Sequence, residues 1–222
     1  MNKVSIIMLV YNAPYYVKQS IKTLKENTEG VDYELIVVDN NSKWITKLLL
    51  KRLKQKGLID KLITNEKNML FAGGNNIGSE YCDYNSEYIL LLNSDVKILH
   101  KKWLQKLIEL HPYEGGVSSY GVVLDEPQRA DGYCFLINKD LYINNRLDEN
   151  FQWFWGVTKL QSILLKNGKR IVCVENHENI IHHYGGRSGK GFKEAKGMGI
   201  DIEEVKKWFI KGNVEILKDV DI

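Results

Sequence analysis

The chain has 222 residues with 31 Lys and Arg against 28 Asp and Glu, so its net charge is only +3. This balance excludes the strongly basic surface of an obligate nucleic-acid-binding protein. The composition is that of an ordinary globular chain, and its length predicts one α/β domain, with or without a small appendage. The three cysteines lie far apart with no CxxC pair. This spacing argues against a zinc site or a disulfide framework and favours a reducing, cytoplasmic compartment.

Strands and helices alternate in the first half of the chain. Apolar runs predict strands at residues 4–10, 34–38, 58–64 and 88–92. Helical spacing of apolar residues predicts helices at 15–24, 43–56 and 78–84, and residues 65–76 are polar and glycine-bearing. Such an alternation indicates a parallel sheet with right-handed crossover connections.

The predicted helix 43–56 is basic and amphipathic. Leu48 to Leu50 and Leu53 are expected to face inward, and the Lys and Arg residues to form a solvated face. Contact of this basic face with a membrane surface is the alternative.

Polar residues follow three of the predicted strands directly. They are Tyr11-Asn12, Asp39-Asn40 and Asn93-Ser94-Asp95. One such end alone is typical of a turn, but three at the carboxyl edge of one parallel sheet predict a crevice that binds a ligand. Asp95 carries the acceptor-only carboxylate that hard divalent cations prefer.

A glycine-bearing stretch at residues 71–78 precedes the last of these strands. It is neither a dinucleotide-binding fingerprint nor a P-loop. The glycines either let the backbone approach a ligand or form a flexible turn.

The second half predicts a helix at 158–166, a strand at 170–174 and a C-terminal amphipathic helix at 202–210. Val205, Trp208 and Phe209 are expected on the inward face of the last helix, which would pack as a lid or a partner surface. The aromatic run Trp153-Phe154-Trp155 either stacks on a sugar ring or belongs to the core.

Four segments of the sequence resemble glycosyltransferase family 2 in order and spacing. They are residues 10–12, 37–42, 68–78 and 92–95, and the likeness continues more loosely through 130–137. The chain is most similar to the small rhamnosyltransferase-like and galactofuranosyltransferase-like members. The resemblance implies a GT-A fold, in which a Rossmann-like nucleotide-binding half (residues 1–97) joins an acceptor half (98–200), followed by a C-terminal helix and tail (201–222).

The same resemblance implies an activity and its partners. A sugar would be transferred with inversion from a UDP- or dTDP-sugar to a hydroxyl of a glycan, lipid-linked or protein acceptor, with Mg2+ or Mn2+ as the Lewis acid. No nucleic-acid partner is expected, contact with the inner face of a membrane is an additional expectation, and the oligomeric state stays open. The alternative is a catalytically degenerate member that binds nucleotide-sugar or glycan and supports a partner enzyme.

Donor binding is assigned by the resemblance to the strand ends, the glycine stretch and a late loop. The residues are Val10, Tyr11, Asn12, Asp39, Asn40, Gly73, Gly74, Asn75, Asn93, Ser94 and Arg187. Within this set, Asp39 would accept a hydrogen bond from the imide of uracil or thymine. Arg187 and Lys190 would clamp the diphosphate or belong to a plain surface loop.

Metal binding is assigned to Asp95, which matches the last carboxylate of the family's DxD-like motif, with Asn93 in place of the first. A single carboxylate needs further ligands, and His182 or His183 resembles a late histidine that supplies one. Alternatively, the two histidines are strand residues on opposite faces, one of them in the core.

The general base is the clearest departure from the family. An acidic pair is expected after the aromatic run, but this chain has Gly156 and Val157 there. The remaining candidates, in order, are Glu149, Asp148 and Asp131, although the first two also suit a turn. A base must come within about 2.6–3.2 Å of the hydroxyl, directly or through water.

Overall fold

A computed structural model describes residues 3–187, 198–209 and 214–222. Its centre is an eight-stranded sheet made of β1 (Lys3–Val10), β2 (Asp32–Asp39), β3 (Lys61–Thr64), β4 (Tyr88–Leu92), β6 (Gly116–Tyr120), β9 (Cys134–Asn138), β10 (Arg170–Val174) and β12 (Val214–Leu217). Two short antiparallel pairs accompany it: β5 (Val96–Ile98) with β11 (Ile181–His183), and β7 (Val122–Val123) with β8 (Arg129–Ala130).

The strand order across the sheet is β12-β10-β6-β9-β4-β1-β2-β3. Strands β4, β1, β2 and β3 run parallel to one another, and so do β6, β10 and β12. Strand β9 lies antiparallel between β4 and β6 and joins the two parallel groups. The prediction of an α/β chain with a mostly parallel sheet is therefore confirmed.

Helices cover both faces of the sheet: α1 (Pro14–Glu26), α2 (Trp44–Gln55), α3 (Leu70–Ser79), α4 (Trp103–Glu109), α5 (Lys139–Asn144), α6 (Phe154–Lys166) and α7 (Ile202–Trp208). Alternate residues of β1 serve the two faces, since Ile6 packs in one cluster with Ile21 of α1, and Ile7 packs in another with Leu160 of α6. Full burial on both faces explains why the strands read as continuous apolar runs.

Helix α3 spans most of the glycine-bearing stretch, to which the sequence assigns no helix before residue 78, and the predicted helix at 78–84 is wrong. The cause is the glycines, which lower helix propensity but let the helix approach the sheet closely. A Cβ on Gly78 would lie 2.6 Å from Cγ2 of Ile7, and one on Gly74 would overlap the side chain of Leu9. Packing against β1 therefore overrides the local signal.

Two further expectations need correction. Leu48 of α2 is 40% exposed rather than facing inward, whereas Leu50 and Leu53 are buried as expected. Helix α6 begins at Phe154, four residues earlier than predicted, so most of the aromatic run belongs to its first turn. None of the helices in the described ranges combines the length and the apolar character needed to cross a membrane.

Candidate active site

The three polar strand ends come together at one edge of the sheet. Val10 of β1 is in register with Asp39 of β2, and the amide of Asn40 donates to the carbonyl of Val10 at 2.8 Å. Strand β4 flanks β1 on its other side, so Asn93 and the residues after it emerge at the same edge. The crevice expected from parallel strand ends is thereby formed.

A cavity of about 210 Å³ opens at this edge. Its walls come from the strand ends, the start of α3, the segment after β8, the start of α6 and the end of β11: Leu9, Tyr11, Asn40, Leu70, Phe71, Asn93, Ser94, Asp131, Gly132, Tyr133, Trp153, Phe154, Val157, His183 and Gly186. Apolar and aromatic walls with a few polar groups are typical of a small-molecule site.

Backbone strain is concentrated around the cavity. Among the described residues, five non-glycine residues have positive φ: Asn12 (62°), Ala13 (53°), Asn41 (63°), Leu70 (58°) and Trp153 (55°). Leu70 and Trp153 line the cavity, and the other three lie two or three residues beyond the ends of β1 and β2. Such conformations cost about 1–3 kcal/mol each and cluster at functional sites.

Hydrogen bonds tie the ends of β1 and β2 to the start of α2. The backbone amide of Asn12 donates to Oγ of Ser42 at 2.8 Å, and the side-chain Oδ1 of Asn12 accepts from the backbone amide of Lys43 at 2.8 Å. The amide of Ser42 donates to Oδ1 of Asp39 at 2.9 Å. Asp39 is 1% exposed and is not among the cavity-lining residues, although its neighbour Asn40 is.

Asn40 organises the loop before α3. Its Nδ2 donates to Oδ1 of Asn68 at 2.7 Å and to the carbonyl of Leu70 at 3.1 Å. Its Oδ1 accepts from the amide of Met69 at 2.8 Å and from Nδ2 of Asn65 at 3.1 Å. This one side chain therefore fixes the strained Leu70 at the cavity wall.

Asp95 meets His183 across the small antiparallel pair of strands. Val96 is in register with His183, which brings Nε2 of His183 to 3.3 Å from Oδ1 of Asp95. Oδ2 of Asp95 accepts from the amide of Arg187 at 3.0 Å. Asp95 is 1% exposed, and its Oδ1 has no hydrogen-bond donor among the described residues.

The two histidines lie on opposite sides of β11. The ring of His183 stacks on Tyr133 with centroids 4.3 Å apart, and its Nε2 lies 3.4 Å from Nδ2 of Asn93. His182 is exposed and rests edge-on against Tyr184. Of the two, His183 is the one that the structure brings to Asp95.

An orphaned carboxylate oxygen beside an imidazole nitrogen fits part of a divalent cation site. The described residues contain no group of three or more His, Cys, Asp or Glu side chains able to hold a metal. Asp95 and His183 would therefore supply two ligands and leave the rest to water and the oxygens of a bound diphosphate, as Mg2+ sites commonly do.

Tyr133 supports His183 from inside the protein. Its hydroxyl is buried and has no hydrogen-bond partner in the part of the chain that the structure describes. Burial raises the pKa of this hydroxyl well above its usual range, so the group stays protonated. The sequence carries no signal for this role, because Tyr133 reads as one more strand-edge aromatic.

Within the glycine-bearing stretch, Phe71 lines the cavity, whereas Gly73, Gly74 and Asn75 pack against other parts of the protein. A Cβ on Gly73 would lie 3.4 Å from Oε2 of Glu149, and Gly74 faces Leu9 of β1. Asn75 is buried and donates to the carbonyl of Phe71 at 2.9 Å within α3. These three residues are absent from the lining of the cavity.

The three candidate bases lie in different places. Asp131 lines the cavity and is half-buried. Glu149 is exposed, and its Oε1 accepts from Nδ2 of Asn76 at 3.2 Å. Asp148 accepts from the amide of Asn150 at 2.9 Å, which is the hydrogen bond of a turn. Val157 lines the cavity at a position where the resemblance implies an acid.

The aromatic run divides between the cavity and the C-terminal helix. Trp153 and Phe154 line the cavity. Trp155 is 7% exposed, packs with Val205 and Trp208 of α7, and donates from Nε1 to the carbonyl of Met198 at 3.2 Å. Val205 and Trp208 thus face inward as predicted, against the start of α6.

Two buried amides that the sequence does not single out hold this wall in place. Gln152 accepts from the amide of Ala72 at 3.1 Å and donates to the carbonyl of Glu149 at 2.7 Å. Asn76 donates to the carbonyl of Leu147 at 2.9 Å and accepts from the hydroxyl of Tyr142 at 3.0 Å. Both link α3 to the segment before α6.

The late loop contributes mainly through its backbone. Arg187 is exposed, and its backbone amide donates a hydrogen bond to Oδ2 of Asp95. Gly186 lines the cavity. Lys190, the second expected diphosphate clamp, lies outside the described residues.

Solved structures of similar fold include two nucleotide-sugar complexes. PcManGT, a mannosyltransferase from Pyrobaculum calidifontis in complex with GDP-Man and Mn2+, has a TM-score of 0.68 at 14% identity over 78% of this chain and 55% of that one. S. aureus TarS 1–349 in complex with UDP-GlcNAc has a TM-score of 0.52 at 16% identity, over 66% and 48% of the two chains. These likenesses confirm the GT-A fold.

Sequence comparison leads to the same family. An uncharacterized glycosyltransferase of Haemophilus influenzae is 28% identical over 125 residues, which are 55% of this chain and 36% of that protein. This chain thus spans about a third of that relative's length. The model of Glycosyl transferase family 2 matches residues 5–157, from the first strand through the position of the missing acid. With the family's fold and its strand-end motifs at one edge of the sheet, the chain belongs to glycosyl transferase family 2.

Proposed function

We propose that this chain transfers a sugar, with inversion and with the help of a divalent cation, from a UDP- or dTDP-sugar to a hydroxyl of a glycan, lipid-linked or protein acceptor. The observation that carries the proposal is the buried Asp95, whose orphaned Oδ1 lies 3.3 Å from His183 beside the cavity. The complexes of similar fold with GDP-Man and Mn2+ and with UDP-GlcNAc support the donor class.

Recognition of the nucleotide base is assigned to the ends of β1 and β2. Asp39 would accept from the imide N–H of uracil or thymine, a donor that cytosine lacks. Its Oδ1 already accepts from the amide of Ser42, which fixes the carboxylate plane and leaves Oδ2 for the base. Tyr11, at the cavity wall beside it, would pack on the nucleoside.

Recognition of the diphosphate is assigned to the Asp95–His183 pair. Asp95 and His183 would hold Mg2+ or Mn2+ together with oxygens of the donor. Bound there, the cation supplies a Lewis acid that stabilises the negative charge of the leaving diphosphate. The Arg187 amide fixes Oδ2 of Asp95, and the stacked Tyr133 ring fixes the plane of His183. Both supports act before the donor arrives and reduce the ordering required on binding.

Asp131 is our candidate for the general base. It lies in the cavity wall, whereas Asp148 and Glu149 are engaged outside it. Asp131 would take the proton of the acceptor hydroxyl. As it does so, the hydroxyl oxygen would attack the anomeric carbon of the donor sugar, and the bond from that carbon to the diphosphate would break. One displacement of this kind inverts the anomeric centre. Phe154 and Val157 would shield the reacting groups from water.

A second candidate function has its own observation. Gly156 and Val157 carry no titratable group, and a Cβ on Gly156 would lie 2.9 Å from the carbonyl of Phe151, so an acid does not fit there without rearrangement. A member that binds nucleotide-sugar without transferring it, and that supports a partner enzyme, is consistent with this position.

One experiment separates the two functions. Release of nucleoside diphosphate from UDP- and dTDP-sugars is measured with a panel of glycan and lipid-linked acceptors, in Mn2+ and in EDTA, for wild type and Asp131→Asn. The enzyme proposal expects acceptor-dependent release that needs Mn2+ and is lost in the variant. Donor binding by calorimetry without release for every acceptor would instead support the non-catalytic member, and absence of donor binding would contradict both.

A further inference from the structure

Helix α2 displays apolar side chains to solvent. Trp44 is 72% exposed, Ile45 53% and Leu48 40%. Because these positions are spaced i, i+1 and i+4, they fall on one face of the helix, opposite the buried Thr46 and Leu50. Exposing most of a Trp side chain to water costs free energy, and a helix face that only contacts solvent has no need of such a residue.

The same helix carries charge of one sign. Residues 40–59 contain six Lys and Arg and no Asp or Glu. Within the described ranges, none of these six cations pairs with a carboxylate, although Lys47 donates to Oδ1 of Asn41. Helix α7 differs, since Lys206 and Lys207 pair there with Glu203 and Glu204. An ordinary solvated helix face carries charges of both signs that pair, as on α7. Helix α2 carries only positive charges on this stretch.

The exposed apolar residues lie at the cavity edge of the molecule. Helices α1 and α2 both begin where β1 and β2 end, and Tyr15 in the first turn of α1 is 71% exposed. Trp44 and Ile45 occupy the first turn of α2, and Lys51 and Arg52 follow on exposed positions about two turns later. We call these six residues the basic aromatic face: Tyr15, Trp44, Ile45, Leu48, Lys51 and Arg52.

We propose that the basic aromatic face binds the surface of an anionic lipid bilayer. Trp and Tyr prefer the headgroup boundary, Ile and Leu insert just below it, and Lys and Arg contact the lipid phosphates. An acid-free helix is complementary to an anionic surface, where each basic residue contributes about fivefold in affinity. The bound bilayer lies next to the mouth of the cavity. This binding does not require the proposed sugar transfer.

Flotation of the whole chain with lipid vesicles tests the proposal. Vesicles of phosphatidylcholine alone are compared with vesicles that also contain phosphatidylglycerol, at low and high salt. Wild type is expected to float with the anionic vesicles, to dissociate at high salt, and to stay unbound with phosphatidylcholine alone. Failure of wild type to float with anionic vesicles would overturn the proposal.

Variants identify the surface. Trp44→Gln with Ile45→Gln and Leu48→Gln removes the apolar part, and Lys51→Glu with Arg52→Glu reverses two charges. Each is expected to lower vesicle affinity by at least roughly tenfold. All sites are exposed, so thermal unfolding and donor binding should match wild type. The charge control, Lys102→Glu with Lys166→Glu, changes net charge equally on other exposed positions and should retain most of the binding.

Two outcomes would assign the face differently. If the charge control loses as much binding as Lys51→Glu with Arg52→Glu, net charge rather than this face controls adhesion, and the proposal is wrong. If wild type does not bind vesicles but sediments as a dimer, and the triple Gln variant sediments as a monomer, a second copy of the chain covers the face instead. Unchanged donor binding in these variants separates a failure here from a failure of the proposed function.

Discussion

The two sides of the cavity are built in different ways. On the proposed donor side, Asp39 is the last residue of β2 and the Asn93–Asp95 segment directly follows β4, and both strands pair with β1. On the proposed acceptor side, Asp131 lies on the connection between β8 and β9, and Val157 of helix α6 also lines the cavity. A parallel sheet alone brings the first set together, whereas long-range packing must place the second. The residues of the proposed donor side can therefore be predicted from the local sequence pattern, whereas those of the proposed acceptor side cannot.

The largest effect is expected on the acceptor side. Asp131→Asn should lower the rate of sugar transfer on the order of 10²–10⁴-fold, because the amide cannot take the proton of the acceptor hydroxyl. Donor affinity should stay within a factor of a few. Transfer rates and calorimetric donor binding are measured together.

Glu149→Gln and Asp148→Asn are the matched controls for this prediction. Both keep the shape of their carboxylates and both sites lie off the cavity lining, so each should transfer at close to the wild-type rate. Loss of transfer in either control, with Asp131→Asn still active, would move the base to the segment before the aromatic run.

On the donor side, the two adjacent histidines should differ sharply. His183→Ala should weaken Mn2+-dependent binding of UDP by roughly 10–100-fold, the loss typical of removing a group that holds or orients a metal ligand. His182→Ala should have no effect, since its ring is exposed and packs on Tyr184. The reverse order of effects in calorimetric titrations would contradict the placement of His183 beside Asp95.

Base selectivity should respond to the end of β2. Asp39→Asn keeps an oxygen for the amide of Ser42 but cannot offer a charged acceptor to the imide as well. UDP affinity should fall about tenfold, which corresponds to the lower end of the free-energy range for a hydrogen bond to a charged group. CDP affinity should change little. An equal loss for both nucleotides in a competition assay would mean that Asp39 only fixes the turn.

The smallest effects concern the glycines of α3. Gly74→Ala should lower the free energy of unfolding by about 1–3 kcal/mol, since its Cβ would overlap Leu9 and force the helix off the sheet. Gly73→Ala meets only ordinary contacts at 3.4 Å and should leave stability and UDP binding unchanged. Urea denaturation measures the first quantity. Weakened UDP binding in stable Gly73→Ala would show that this glycine faces the donor after all.

The strands that carry the proposed donor side could largely be predicted from the sequence. Strands β1, β2 and β4 are short apolar runs that end in polar residues, and their positions match the prediction within two residues. Helix α3 could not be found in this way, because Gly74 and Gly78 weaken the helical signal and gain their value only from contact with β1. Its stability lies in packing that the local sequence does not encode.

The pairing of Asp95 with His183 shows the same limit. Alternation along β11 places His182 and His183 on opposite faces, but only the register of β11 with β5 decides which of them meets Asp95. The residues are far apart in sequence, and β5 and β11 each span three residues. The supporting roles of Asn76 and Gln152 could not be predicted either, since the local sequence does not indicate which amide side chains are buried.

The most direct test of the account is calorimetric titration of UDP into wild type and Asp95→Asn, in Mn2+ and in EDTA. Wild type should bind UDP at least roughly tenfold more tightly in Mn2+ than in EDTA, and Asp95→Asn should lose that gain. The variant should melt in EDTA at or above the wild-type temperature, because it removes a charge from a 1%-exposed carboxylate with an orphaned oxygen. Equal UDP affinity of the two proteins in Mn2+ would contradict the assignment of Asp95 as the cation ligand of the donor site.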